Sequence, residues 1–274
     1  MFHRYTVFFV ACALPLLFVQ QLAPNMAREL DFWLMWVIAM TLVGLPILFA
    51  EFALSARSAD APWLGMQKLT READASVVWR VFAGLSVLVS ILIAANITSR
   101  VAMGFEAQLP NIAQNVGVPS MGMSAALMVV VLILSLLRAN LLPVGLLLIF
   151  AGSLISLFDG GLTSGVSVPV LTEVTPGEWG RAVLLALLSV GVGTGLYWFG
   201  SQGTASQVMQ AKKSLTGLIL PIWFTQLIFG SLALLVGSSM VTPLSFAVTG
   251  VGMLLIAAFL LSYAGLQLVA RFGL

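Results

Sequence analysis

Reactive side chains are scarce in this chain. Its 274 residues include one histidine, His3, and one cysteine, Cys12. A lone cysteine cannot close an internal disulfide, and one histidine with one cysteine is too few donors for a metal site. No Ser/His, Cys/His or paired-carboxylate constellation occurs, and His3 stands at the extreme terminus. The chain therefore does not read as an enzyme, and neither a metal nor a cofactor is expected. Charge is scarce too. Only 8% of residues are charged and the formal net charge is +2, which gives no reason to expect nucleic acid as a partner. Low-complexity tracts and short-period repeats are absent, and the loops are too short to carry a separate domain.

What fills the chain is apolar sequence. Hydrophobic residues make up 60% and the mean hydropathy is +1.09, values that place it among integral membrane proteins. Runs long enough to span a bilayer occur about eight times: Tyr5–Ala23, Phe32–Leu54, Val81–Met103, Ala125–Leu137, Leu141–Phe158, Ala182–Phe199, Leu215–Gly237 and Leu244–Ala270. Ala11-Cys12-Ala13 has the look of a cleavage site but lies inside an apolar run that continues to Val19, so the first span is expected to be retained. With eight spans and a cytoplasmic N-terminus, one side receives Arg4, Arg57, Lys68, Arg71, Arg80, Arg138, Lys212, Lys213 and Arg271. The other side receives only Arg28, Arg100 and Arg181. That bias puts both termini in the cytoplasm and the protein in the inner membrane.

Two features stand out against this background. Gly191-Val192-Gly193-Thr194-Gly195 interrupts the sixth run at its centre. Glycine costs about 1 kcal/mol relative to alanine in a helix interior, and a bilayer tolerates freed backbone groups only where protein or a water-lined cavity satisfies them. One reading is therefore a broken helix of the kind that holds solutes and ions in secondary transporters. The other is close helix packing through small residues. The second feature is Glu51, an ionisable group inside a predicted span and so a functional candidate by default.

Several strings carry a resemblance. Val43-Gly44-Leu45-Pro46, followed by Glu51 and Ala53-Leu54, resembles the second span of the neurotransmitter:sodium symporter family, with its Gly-aliphatic-Pro pattern and a glutamate shortly before the cytoplasmic end. Trp79–Gln108, with Gly104-Phe105 near its end, looks like that family's third span. Thr175-Pro176-Gly177-Glu178-Trp179 looks like the lead into its sixth, and Tyr263-Ala264-Gly265-Leu266 resembles part of its eighth. The resemblance implies an all-α polytopic membrane protein of about eight transmembrane helices, with a partial leucine-transporter fold and a broken sixth helix. It would form a single domain over 1–274, with a first-half repeat over about 5–158 and an incomplete, inverted second-half repeat over about 182–274. Members usually have about twelve spans. The expectation is that faces normally covered by the ninth and tenth lie open on spans seven and eight.

The family's central site is lined by spans one, three, six and eight. Its first-span Gly-x-Gly-Asn stretch, a source of sodium ligands, falls on Ala13-Leu14-Pro15-Leu16, with Val19 near its arginine gate. Its third-span tyrosine falls at about Ala95 and its seventh-span asparagine at about Pro221, with Gly230 still fitting nearby. Its eighth-span Thr-Ser pair falls on Gln267 and Leu268. Leucine offers sodium no oxygen, so the sodium site is lost. Ser189 alone keeps a hydroxyl where the sixth span has one. The broken-helix set is thus Ser189, Gly191, Gly193, Thr194 and Gly195, and the candidate cavity lining is Pro15, Ala95, Asn96 and Gln267. Glu51 has three readings: a brace for backbone freed at the broken helices, as the resemblance implies, a proton-linked group, or an interfacial charge. Asn96 and Thr98 are expected to face the bundle, and Trp33, Trp36, Trp179 and Trp198 to form interfacial belts. Ser55–Trp79 is expected to form an amphipathic cytoplasmic segment or a solvated loop.

Two functions follow as expectations. In the first, the chain is a degenerate relative that has lost sodium coupling and serves as a partner or subunit of another integral membrane protein, or of a second copy, through spans seven and eight. In the second, it moves a small amino-acid-like solute, proton-linked or uncoupled.

Overall fold

The computed structural model describes residues 6–23, 29–137, 141–156, 158, 175–191, 193–198, 214–236 and 242–272. His3, Arg4, Arg28, Arg138, Val192, Lys212, Lys213 and most of the predicted external loop around Asp159 lie outside the described residues. Every regular element described is helical. In chain order these are α1 (Thr6–Leu22), α2 (Leu30–Ser58), α3 (Pro62–Glu72), α4 (Val81–Gln108), α5 (Pro110–Val116), α6 (Ser120–Leu136), α7 (Leu141–Ser156), α8 (Pro176–Val190), α9 (Thr216–Val236) and α10 (Pro243–Phe272).

Four stretches are long and apolar enough to cross a membrane: Leu30–Ser58, Val77–Gln108, Thr216–Leu235 and Pro243–Val269. Helices α1, α6 and α7 are apolar but shorter, at 17, 17 and 16 residues, or about 25 Å of rise each. The chain is an all-α membrane protein. The helix over the fourth predicted span starts at Ser120 rather than Ala125, and that over the third runs on to Gln108.

The helices pack as two groups. In one, α1 lies against α8 and α9 while α2 runs along α8. In the other, α10 lies against α7, α4 and α6. The groups meet where α1 touches α7. Val10, Ala11, Ala13, Leu14, Leu16, Leu17, Phe18 and Val19 are all buried, so α1 is enclosed on every side, as a helix apolar all round should be. By contrast, α6 buries only Val131.

Side-chain deletion closes the second group. A Cβ added at Gly252 of α10 would stand 2.7 Å from the Gly145 carbonyl oxygen of α7, and one at Gly145 would stand 2.8 Å from the Gly252 carbonyl oxygen. The two backbones touch there because neither carries a side chain, a familiar route to tight packing in lipid.

In α2 the helix widens to a π-turn over Met40–Gly44. Pro46 has no N–H to give the preceding turn. The Met40 carbonyl accepts from the Leu45 N–H and also from the indole N–H of Trp223, the latter at 3.0 Å. Beyond this turn Gly44, Leu48, Glu51, Ser55 and Ser58 form a buried face. It runs past α8, with Gly44 against Val190 and Ser55 donating to the Trp198 carbonyl at 3.5 Å.

Candidate functional site

Helix α8 starts firmly and stops abruptly. At its start Thr175 Oγ1 accepts from the Glu178 N–H at 3.3 Å, and Glu178 Oε2 accepts from the Thr175 N–H at 2.8 Å. This is a capping box with Pro176 in the first turn, so Thr175-Pro176-Gly177-Glu178 is a helix-start signal in its own right. At its end Gly191, Gly193 and Gly195 have φ of +77°, +76° and +65°. Side-chain-bearing residues rarely adopt that region, which is why three glycines are needed here.

The break frees backbone groups in a buried place, and several of them have partners. The Gly191 carbonyl accepts from the Thr194 N–H at 3.1 Å and from the Thr194 hydroxyl at 2.6 Å. Thr194 Oγ1 in turn accepts from the Leu196 N–H at 3.3 Å. The Gly195 carbonyl accepts from the Trp198 N–H at 3.0 Å and from the Tyr263 hydroxyl of α10. The Gly193 N–H donates to Glu51 Oε1 at 3.0 Å.

Glu51 is only 6% exposed, and its reach across to Gly193 ties α2 to the far side of the break. Of the three readings of Glu51, the interfacial charge does not fit this burial. Its second oxygen, Oε2, is buried with no hydrogen-bond partner among the described residues, as are Ser189 Oγ and Gln226 Oε1.

Two tyrosines beside this network were not singled out as site residues by the sequence reading. Tyr197 is fully buried, receives a hydrogen bond from Gln226 Nε2 at 2.7 Å and stacks its ring at 5.2 Å from Phe52. Tyr263 is equally buried and bonds to the broken segment. The chain has only three tyrosines, and one of them lying two residues beyond the five-residue glycine stretch was a signal that the sequence offered.

Among the described residues, the space between α1, α7 and α10 is nearly filled. A void of about 10 Å³ remains, lined by Val10, Ala13 and Leu14 of α1, Leu142 of α7, Leu196, and Ile256, Phe259 and Leu260 of α10. That is about the room one water needs, and the lining has no polar side chain to hold it. Leu14 leans on the break itself: a Cβ added at Gly191 would come within 2.7 Å of its Cδ1.

The candidate cavity lining is corrected at three of four positions. Pro15 faces α9, its Cβ lying 3.3 Å from where Gly230 would carry one. Ala95 opens instead onto an outer groove of about 470 Å³ between α4 and α6. Asn96 is exposed rather than turned to the bundle, because Ile93, Ala94, Ile97 and Thr98 take the buried side of α4. Gln267 alone lies beside the break. It is fully buried and its Oε1 accepts from the Ser86 hydroxyl at 3.0 Å, while Gly195 packs against both Ser86 and Tyr263.

Two of the four tryptophans expected at interfaces belong to the core. Trp36 and Trp198 are fully buried. Trp36 fits because Gly230 leaves α9 without a side chain at the crossing, and Trp198 packs with Met66 and Leu69 of α3. Helix α3 is thus an amphipathic segment with one face on the protein. Of the open faces expected on spans seven and eight, the one on α9 is the broader. Helix α10 is mostly covered, with 67% of its most apolar window buried, and keeps Leu244 and Val251 exposed. Polar residues of α9 and α10 are used internally: Gln226 bonds Tyr197, Ser231 accepts from the Trp33 indole at 2.9 Å, and Gln267 bonds Ser86.

No family model, curated protein or solved structure matches the chain.

Proposed function

We propose that the chain is a degenerate relative of the neurotransmitter:sodium symporters with a partial leucine-transporter fold of about eight spans, and that it works as a non-sodium-coupled membrane partner or subunit. The observation that carries this reading is the apolar, nearly filled space between α1, α7 and α10 among the described residues. Where a transporter needs room and oxygen ligands, α1 supplies Val10, Ala13 and Leu14 around a void of about 10 Å³. A hard cation needs several oxygens at close range, and these side chains offer none. The break in the sixth span, meanwhile, is held by Glu51, Thr194 and Tyr263 as a fixed part of the core.

The bias of basic residues supports an inner-membrane location with both termini cytoplasmic. The partner is another integral membrane protein or a second copy, and the surface open to it is the α9 stripe of Phe224, Ile228 and Leu235, each more than half exposed. The runner-up is proton-linked movement of a small amino-acid-like solute. Glu51 favours it, since a buried carboxyl with one oxygen unbonded is suited to taking up a proton.

Reconstitution separates the two. The full chain in proteoliposomes should take up no amino acid under a sodium or a proton gradient, and in lipid nanodiscs its mass should exceed that of one chain. Proton-driven uptake that Glu51→Gln abolishes in a folded protein, together with a monomeric mass, would put the transport reading in front.

A further inference from the structure

The turn between α3 and α4 has a role to which the filled centre does not speak. Val77, Val78 and Trp79 follow one another on a single 3-10 turn and are 64%, 73% and 65% exposed. Beside them stand two arginines held in one way. The Nε–H of Arg80 donates to Thr70 Oγ1 at 2.9 Å, and the Nε–H of Arg71 donates to the Gln67 carbonyl at 3.3 Å. Both guanidiniums are thus tied through Nε to the last turns of α3, and neither has an acidic partner among the described residues. The other two cations of the region do: Arg57 lies 3.8 Å from Glu72, and Lys68 lies 3.9 Å from Asp60.

The depth of this turn follows from α4. Arg80 and Arg100 bracket an uncharged helical stretch with about 30 Å of rise, which is the thickness of a hydrocarbon core. Arg80 therefore marks one edge of the bilayer, and Trp79 sits at the level where indole rings collect. Apolar side chains at that level enter the acyl boundary, while arginine forks beside them match phosphate.

We propose that Arg71 and Arg80 bind the headgroup of an anionic phospholipid, with Val77, Val78 and Trp79 wedged among its acyl chains. The leaflet is the cytoplasmic one in the orientation proposed above. Asp74 shares the turn, so recognition rests on the paired guanidiniums rather than on net charge.

The test uses the full chain in neutral detergent, titrated with phosphatidylglycerol or with phosphatidylcholine of the same acyl chains, with bound lipids counted by native mass spectrometry. Each basic residue near an anionic surface is worth a factor of about five, so the preference for phosphatidylglycerol should be about tenfold or more. Replacing both residues, Arg71→Gln with Arg80→Gln, should bring the ratio near unity, and Arg57→Gln should leave it unchanged. Should the double variant fail to fold, Arg71→Gln alone must lower the preference about fivefold, because the one described bond of that side chain is to its own helix. Equal retention of the two lipids by the unaltered protein would overturn the proposal. So would an undiminished preference in either arginine variant.

Discussion

Glycine closes both helix groups, and it does so for opposite reasons. Between α7 and α10, Gly145 and Gly252 sit in regular helix and matter for the side chain they lack, since backbone meets backbone there. At the end of α8, Gly191, Gly193 and Gly195 matter for the conformation they permit, with φ between +65° and +77°. The first seam keeps its backbone in regular helix, so its N–H and C=O groups stay paired within each helix. The second leaves N–H and C=O groups that lipid cannot satisfy, and Glu51, Thr194 and Tyr263 meet several of them. A glycine in an apolar span is therefore informative only with its surroundings: clustered glycines reached by a carboxyl mark a break, and a glycine set against another glycine marks a crossing.

That contrast can be broken at its strongest point first. Gly252→Val would drive a branched side chain into the Gly145 carbonyl and the Ile149 N–H, both within 3 Å of its Cβ. Overpacking costs about 1–3 kcal/mol where neighbours can yield. Rigid backbone cannot, so folded protein should be lost, as read by size-exclusion yield from membranes. In the other group Leu14→Ala removes the side chain that fills the centre, at about 2–5 kcal/mol for a buried leucine. A drop of that size in detergent melting would show that the filling is structural, whereas an unchanged melting point would mean that the centre is free to collapse.

Glu51 gives the next step down. Glu51→Ala leaves the Gly193 N–H unmet and should cost about 1–3 kcal/mol. Glu51→Gln keeps an acceptor and should cost less, so equal losses in the two variants would deny the bracing role. The smallest effect lies at the opposite end of α2. Burial, then the nearby Asp31 and Glu178, raise the carboxyl of Glu29 above its ordinary value. A carboxyl whose folded value is raised favours the folded state in acid and loses that contribution as pH rises through the folded value. Glu29→Gln should therefore stabilise slightly at neutral pH, with the gain vanishing in acid, as followed by melting across a pH series.

How much of this was readable beforehand depends on the kind of signal. The glycine cluster drew notice as either a break or a close crossing, because three glycines within five residues have few uses inside a span, and Glu51 because a carboxyl in an apolar run must be explained. Which way α4 faces was not readable. It is apolar all round, so periodicity cannot tell the side that carries Ala94 and Ile97 from the one that carries Asn96, and Ala95 and Asn96 were assigned to the wrong surroundings. Trp36 and Trp198 looked like interfacial residues because core and belt tryptophans have the same flanks, and only a distant partner glycine, Gly230 for Trp36 and Gly65 for Trp198, distinguishes them. The π-turn at Met40–Gly44 left Pro46 as its trace but not the extra residue. The α7–α10 seam was invisible for the same reason as Trp36: each glycine is unremarkable until the other is opposite it.

The central claim of the proposed function is that the helix break lies beside no sodium site. Thermal stability of the purified chain in detergent, in sodium against potassium at equal ionic strength, tests it most directly. The account predicts identical melting in the two salts, because Leu14 and Leu16 offer no oxygen to a cation. A sodium-specific stabilisation of about 2–3 kcal/mol, the linkage expected at a hundredfold excess over the dissociation constant, would contradict it.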